Sequence, residues 1–164
     1  MSGSPSARLD SPPPLLVDFA DDLKQRLVVL VDPSREELRL PFLRSLRPSI
    51  DDYAQVFVES AARQAKTFYE AMWQKPFAPS WNPRHSTVRI HVAVPEDFVT
   101  NHPRAAAFPR GYFDIASSLS PGVPWACFEL LEEGDTLGVS TDGLVGIGER
   151  IVWLPRPYLA LGTS

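Results

Sequence analysis

The chain has 164 residues, a formal net charge of -4, one cysteine, four tryptophans and 17 prolines. That length suits one ordinary domain with a core. Its acidity, with no basic stripe to neutralise phosphates, excludes a nucleic-acid binder, and a lone Cys127 excludes an internal disulfide. The longest apolar run, 27–31, falls far short of the roughly 20 residues that span a bilayer, which excludes a membrane span. The N-terminus lacks a signal peptide's charged segment and long apolar run, so the expected compartment is the cytoplasm.

Residues 1–14 combine Ser, Gly and Pro and end in Pro12, Pro13 and Pro14. Such a composition buries too little apolar surface to offset the entropy of ordering, and a disordered tail is expected, with a polyproline ligand as its functional alternative. A single domain then spans 15–162. Leu16, Phe19, Leu23, Leu27 and Leu30 recur at three- and four-residue steps and predict an amphipathic helix. Over 26–31 the β-branched composition fits a strand as well, and periodicity does not separate the two. Asp32 and Pro33 break the pattern, and Ser34 with Glu37 three residues on reads as a capping box for a short helix.

A long helix is predicted over 50–74. Ser49 serves as its cap, Asp51 and Asp52 lie near the positive end of its dipole, and Pro76 stops it. Its buried stripe reads Tyr53, Val56, Phe57, Ala61, Ala65, Phe68 and Met72, with Glu59 and Arg63 on the opposite, solvated face. Prolines 76, 79 and 83 predict an irregular connector whose Phe77 and Trp81 pack back on the core. Residues 87–94 then alternate with a period of two, as a strand with one wet face does. A proline-punctuated loop over 95–110 and one short helix over 112–119 follow.

From Val123 to Pro157, short β-branched and aromatic runs at 125–131, 136–140, 144–147 and 150–154 are separated by glycine-containing turns, among them Asp142-Gly143 and Gly148-Glu149. That pattern predicts an antiparallel meander. The fold class read from the sequence is α+β, with N-terminal helices packed on one face of a C-terminal, mainly antiparallel sheet of about five strands.

No catalytic signature accompanies it. His85, His91 and His102 stand six and eleven residues apart, without the close pairing of compact metal sites, so no metal and no cofactor are expected. Cys127 is the only thiol, and its strand context is that of a small hydrophobe, although His91 on a neighbouring strand supplies a geometric route to a Cys–His arrangement. Glu129 with Asp135 or Asp142 is the remaining acid–base option. Nothing matches a nucleophile elbow or a dinucleotide loop. Aromatic residues carry the better signal: Trp125, Trp153 and Tyr158, with Arg150 and Arg156, have the composition of a protein-binding hot spot. The functional expectation is a non-catalytic cytosolic module, of accessory, inhibitor or immunity type, binding another and basic protein through that aromatic and arginine surface. The alternative is a small hydrolase or isomerase using His91 with Glu129 or Cys127.

Overall fold

The computed structural model describes residues 12–75 and 82–162. The tail expected over 1–14 lies outside these residues as far as position 11, as does the expected packing of Phe77 and Trp81. Helix α1, Pro14–Leu27, opens inside the proline triplet, because Pro14 occupies the first helical position, where its missing N–H costs nothing. Its stripe of Leu16, Phe19, Leu23 and Leu27 is buried as the spacing predicts. Val28–Leu30 continues it as a single 3-10 turn, so residues 26–30 are helical and Val31 is the turn that ends them, with no strand there. The next turn, Pro33–Leu38, is capped by Asp32 rather than by Ser34. The Asp32 carboxylate accepts from the Ser34 backbone N–H at 2.9 Å and from its hydroxyl at 2.7 Å. Helix α2, Arg39–Ser45, follows.

The long helix expected over 50–74 is two helices, α3, Asp52–Val56, and α4, Glu59–Gln74. Phe57 between them is extended, with φ -119° and ψ 151°, and forms a bridge with Leu119. The Val58 N–H donates to the Ser118 carbonyl at 3.0 Å, and the Ser120 N–H to the Val56 carbonyl at 2.8 Å. A β-branched Val-Phe-Val run pays little to leave the helix when another segment takes its backbone groups. The break restarts the phase, so Tyr69 is fully buried where the uninterrupted stripe has Phe68, itself 39% exposed. Ser49 offers no side-chain cap; its backbone N–H donates to Asp52 at 2.7 Å.

Among the described residues the sheet has four strands in the order β1-β2-β3-β4, all antiparallel: β1 His85–Ala93, β2 Trp125–Glu132, β3 Val139–Ile147 and β4 Arg150–Trp153. The α+β class with a C-terminal meander is as the sequence reads, with one strand fewer. The end of run 136–140, from Val139 on, and run 144–147 belong to one strand, and Asp142-Gly143 is a bulge in it, not a turn. The register moves from Ala126↔Leu144 to Cys127↔Asp142, leaving Gly143 at φ +92°. Gly148-Glu149 is the tight turn expected, between the paired Ile147 and Arg150.

Helix α1 packs against β1, and with Leu30 and Leu46 it covers the sheet face that carries Ile90, Ala126, Phe128, Leu144 and Ile151. The opposite face, with Ala93, Trp125, Cys127, Val145 and Val152, is buried under a second layer. That layer comprises α3, α4 and the stretch between β1 and β2. The stretch holds α5, Pro95–Val99, a 3-10 turn at Pro103–Ala105 and α6, Gly111–Asp114, where the sequence reads a plain loop and one helix. Asp97 organises it by accepting from the Val94 N–H at 3.0 Å and from Arg104 twice, at 2.7 and 3.0 Å. Helix α7, Pro157–Ala160, closes against α4 and α6.

Candidate functional site

On the sheet face beneath the second layer, the ladder places His91 directly across from Cys127 and Arg89 across from Glu129. The neighbouring ladder places Asp142 across from Cys127 on the other side. The three weak catalytic candidates therefore do meet, as neighbours on β1 and β2. Their chemistry is largely committed. Arg89 donates to Glu129 at 2.9 Å and to the Thr136 carbonyl at 3.2 Å. Cys127 is buried, its thiol directed at the Ala107 carbonyl 3.7 Å away. Burial first, and then the charges of Asp142 and Glu129, push that thiol up to about 12, so it stays protonated at neutral pH. A protonated thiol is neither a good nucleophile nor a metal ligand.

Asp142 is the centre of a polar node. Its Oδ2 accepts from the Tyr112 hydroxyl at 2.5 Å and from the Arg156 backbone N–H at 3.0 Å, while its carbonyl accepts from the Trp153 indole at 2.9 Å. Tyr112 is fully buried, and burial with the Asp142 charge raises its phenol well above the ordinary value. Tyr69 donates to the Pro155 carbonyl at 2.8 Å, and Tyr158 stacks edge-on to Tyr112. The bulge therefore ties β3 to α6 and to the segment after β4. His85 and His102 lie elsewhere, His102 accepting from the Arg104 N–H at 3.2 Å, and no group of three His, Cys, Asp or Glu side chains converges on a metal position among the described residues.

The residues expected to form an aromatic and arginine surface separate. Trp125 is fully buried, because the second layer hides a face that a single helix layer leaves open. Its indole N–H has no hydrogen-bond partner among the described residues. Arg150 is a cross-link, donating to Asp52 at 2.9 and 2.6 Å. Burial alone raises the Asp52 carboxyl, but the hydrogen bonds from Arg150 and Ser49 and the Arg150 charge outweigh it and hold the group below its usual range. Arg156 is exposed, in the left-handed region at φ 50°, and Tyr158 is half-buried beside it.

Trp153 belongs to a different place. Its ring meets Trp73 edge to face at 6.1 Å and lines a cleft of about 390 Å³ on the face covered by the N-terminal helices. Leu27, Leu30, Phe42, Leu43 and Leu46 form one side of the cleft. Phe128, Leu130, Val139, Thr141 and Leu144 form the sheet side, and Asn82 and His85 stand at its polar margin. An apolar cavity of this size with a few polar groups is the usual form of a binding site. The apolar spacing of Phe42, Leu43 and Leu46 is visible in the sequence, but nothing there tells that the sheet face beside them is only partly covered.

Among the described residues no helix is long and apolar enough to cross a membrane. Comparison with protein-family models, with curated proteins and with solved structures finds no match to this chain.

Proposed function

We propose that the chain is a non-catalytic cytosolic binding module, of accessory, inhibitor or immunity type, that seats an apolar side chain of another protein in the Trp153 cleft. The observation that carries this reading is the cleft itself: about 390 Å³ bounded by leucines and aromatic rings, with Val139 58% exposed on its sheet side. Partly open apolar pockets with a tryptophan wall are where interface energy concentrates. Arg156, joined to Trp153 through Asp142, and Tyr158, edge-on to Tyr112, supply polar contacts beyond it. The acidic balance of the chain suits a basic partner. The committed state of Cys127, Glu129 and Asp142 weighs against chemistry, while the opposition of His91 to Cys127 is what speaks for the enzyme reading.

The test is affinity capture of the tagged full chain from its native cells, comparing wild type with Leu43→Asp, which puts a charge in the cleft, and Val99→Asp, at an apolar residue 71% exposed and outside the cleft. Circular dichroism establishes that both variants fold. A near-stoichiometric protein companion retained by Val99→Asp and lost by Leu43→Asp is the expected result. A companion held equally by all three, or none with any of them, refutes the proposal.

A further inference from the structure

A second concavity, of about 750 Å³, lies along the other flank of α1, against Val123, Pro124 and the β3–β4 turn, and shares no residue with the Trp153 cleft. Its apolar surface comes from Leu15, Phe19, Val123 and Ile147, with Leu15 51% exposed. Asp18, Asp22 and Glu149 bring carboxylates to it, and Arg26 is its single cation. Arg26 is already held, by the Asp22 carboxylate at 3.0 Å and the Glu149 carbonyl at 3.1 Å, so one end of the groove grips a guanidinium. Among the described residues neither Asp18 nor the Glu149 carboxylate has an ion-pair partner. Asp18 and Asp22 are also like charges at i,i+4 on one helix, an arrangement that destabilises α1 by a few tenths of a kcal/mol. Arg26 one turn on offsets the charge of Asp22, which leaves Asp18 as the uncompensated carboxylate of the row.

We infer that this groove receives a cationic segment of another protein, a lysine or arginine lying against Asp18 and Glu149 with a neighbouring apolar side chain on Leu15 and Ile147. Charge complementarity selects that occupant: three carboxylates against one arginine leave the groove negative, which repels acidic segments and anionic membrane surfaces alike. The inference rests on the binding reading only in that the segment belongs to a protein; the two surfaces are tested by different substitutions.

The experiment is a titration of the isotope-labelled chain with a short peptide of alternating lysine and leucine, and with its glutamate–leucine counterpart, followed by amide NMR shifts. Shifts centred on Asp18, Gly122, Gly148 and Glu149 with the lysine peptide, and none there with the glutamate peptide, are expected. Asp18→Asn with Glu149→Gln weakens binding up to roughly tenfold, as two exposed pairs imply. Glu36→Gln with Glu37→Gln, exposed residues outside the groove, removes the same charge and leaves affinity within about twofold. Equal weakening by both pairs, shifts centred elsewhere, or no groove shift at millimolar peptide overturns the inference. If the Leu43→Asp chain keeps its groove shifts but loses its protein companion, the two surfaces act separately. Absence of groove shifts in the wild-type chain, with the companion captured by wild type and lost by Leu43→Asp, removes this inference and leaves the cleft standing.

Discussion

Replacing Gly143 by alanine tests the bulge that carries Asp142. At φ +92° a residue with a side chain is strained by roughly 1–3 kcal/mol. A Cβ built there also lies 2.4 Å from the Leu154 carbonyl oxygen and 2.5 Å from the Pro155 Cα, both backbone atoms of the segment leaving β4. That segment is anchored, since the Leu154 N–H donates to the Gly143 carbonyl at 2.7 Å. Relieving the overlap therefore costs a further 1–3 kcal/mol, as overpacking of a well-filled site does. The sum is about 2–6 kcal/mol, a large part of the roughly 5–15 kcal/mol that holds such a domain together. Gly148→Ala is the control, because it shares a positive φ, at +59°, yet its Cβ meets nothing within 4 Å. It should cost only about 1–2 kcal/mol. Urea denaturation monitored by tryptophan fluorescence and far-ultraviolet circular dichroism measures both variants. Thermal midpoints should fall by roughly 2–4 °C for each kcal/mol at this chain length. Equal losses in the two variants would falsify the claim that close approach of the chain, rather than torsional strain alone, reserves position 143 for glycine.

The Arg150–Asp52 link should respond asymmetrically, because the Asp52 side chain is 1% exposed and that of Arg150 53%. Arg150→Met strands a buried carboxylate and should cost about 3–5 kcal/mol, whereas Asp52→Asn leaves a hydrated guanidinium and should cost less; equal losses in urea refute this. The folded Asp52 carboxyl lies below the ordinary aspartate value of 3.8, so its contribution is present above that value and is lost as pH falls through the lower folded one. Asp52→Asn should flatten the acid limb of the stability profile. Cys127, pushed up to about 12, should resist an aromatic disulfide reagent at pH 8 in the native chain and react at once in denaturant; rapid native labelling would contradict its burial. The Tyr112 phenol is raised in the fold, so its contribution is present below its unfolded value near 10 and is lost as pH climbs above it. An ultraviolet titration should show buried phenols, Tyr69 and Tyr112 among them, ionising only with unfolding, and Tyr112→Phe should shrink that step by one phenol.

What the sequence discloses is what neighbours along the chain decide. The stripe of α1 and the alternation of β1 are legible because each element buries a surface of its own period, and the Gly148-Glu149 turn because two residues suffice to form it. Asp142-Gly143 has the same local chemistry as such a turn. The choice of a bulge is made by β2 on one side and Leu154 and Pro155 on the other, all remote in sequence. The break at Phe57 is likewise made by Leu119. Burial of Trp125 depends on Phe57 at the helix break and on Tyr112 in a stretch of turns too short to show periodicity. Asp142 is recognisable beforehand as a carboxylate near a strand, but its Tyr112 partner is not, and the Trp153 cleft arises from incomplete coverage, which no residue pattern encodes.

The packing of α1 has a consequence for how the chain is made. Phe19, Leu23 and Leu27 share a buried cluster with Ala126, Phe128, Leu144 and Ile151, and the helix packs on β1, all far along the chain from it. Until β1 and the strands after it have paired, α1 has only part of the surface it closes upon, and its apolar stripe is open to water and to other chains. Folding therefore waits on a long-range closure, which slows it and lengthens the interval in which a nascent chain is prone to aggregate or to need a chaperone. Loss of the sheet strips the cover from the first helix as surely as loss of the helix uncovers the sheet.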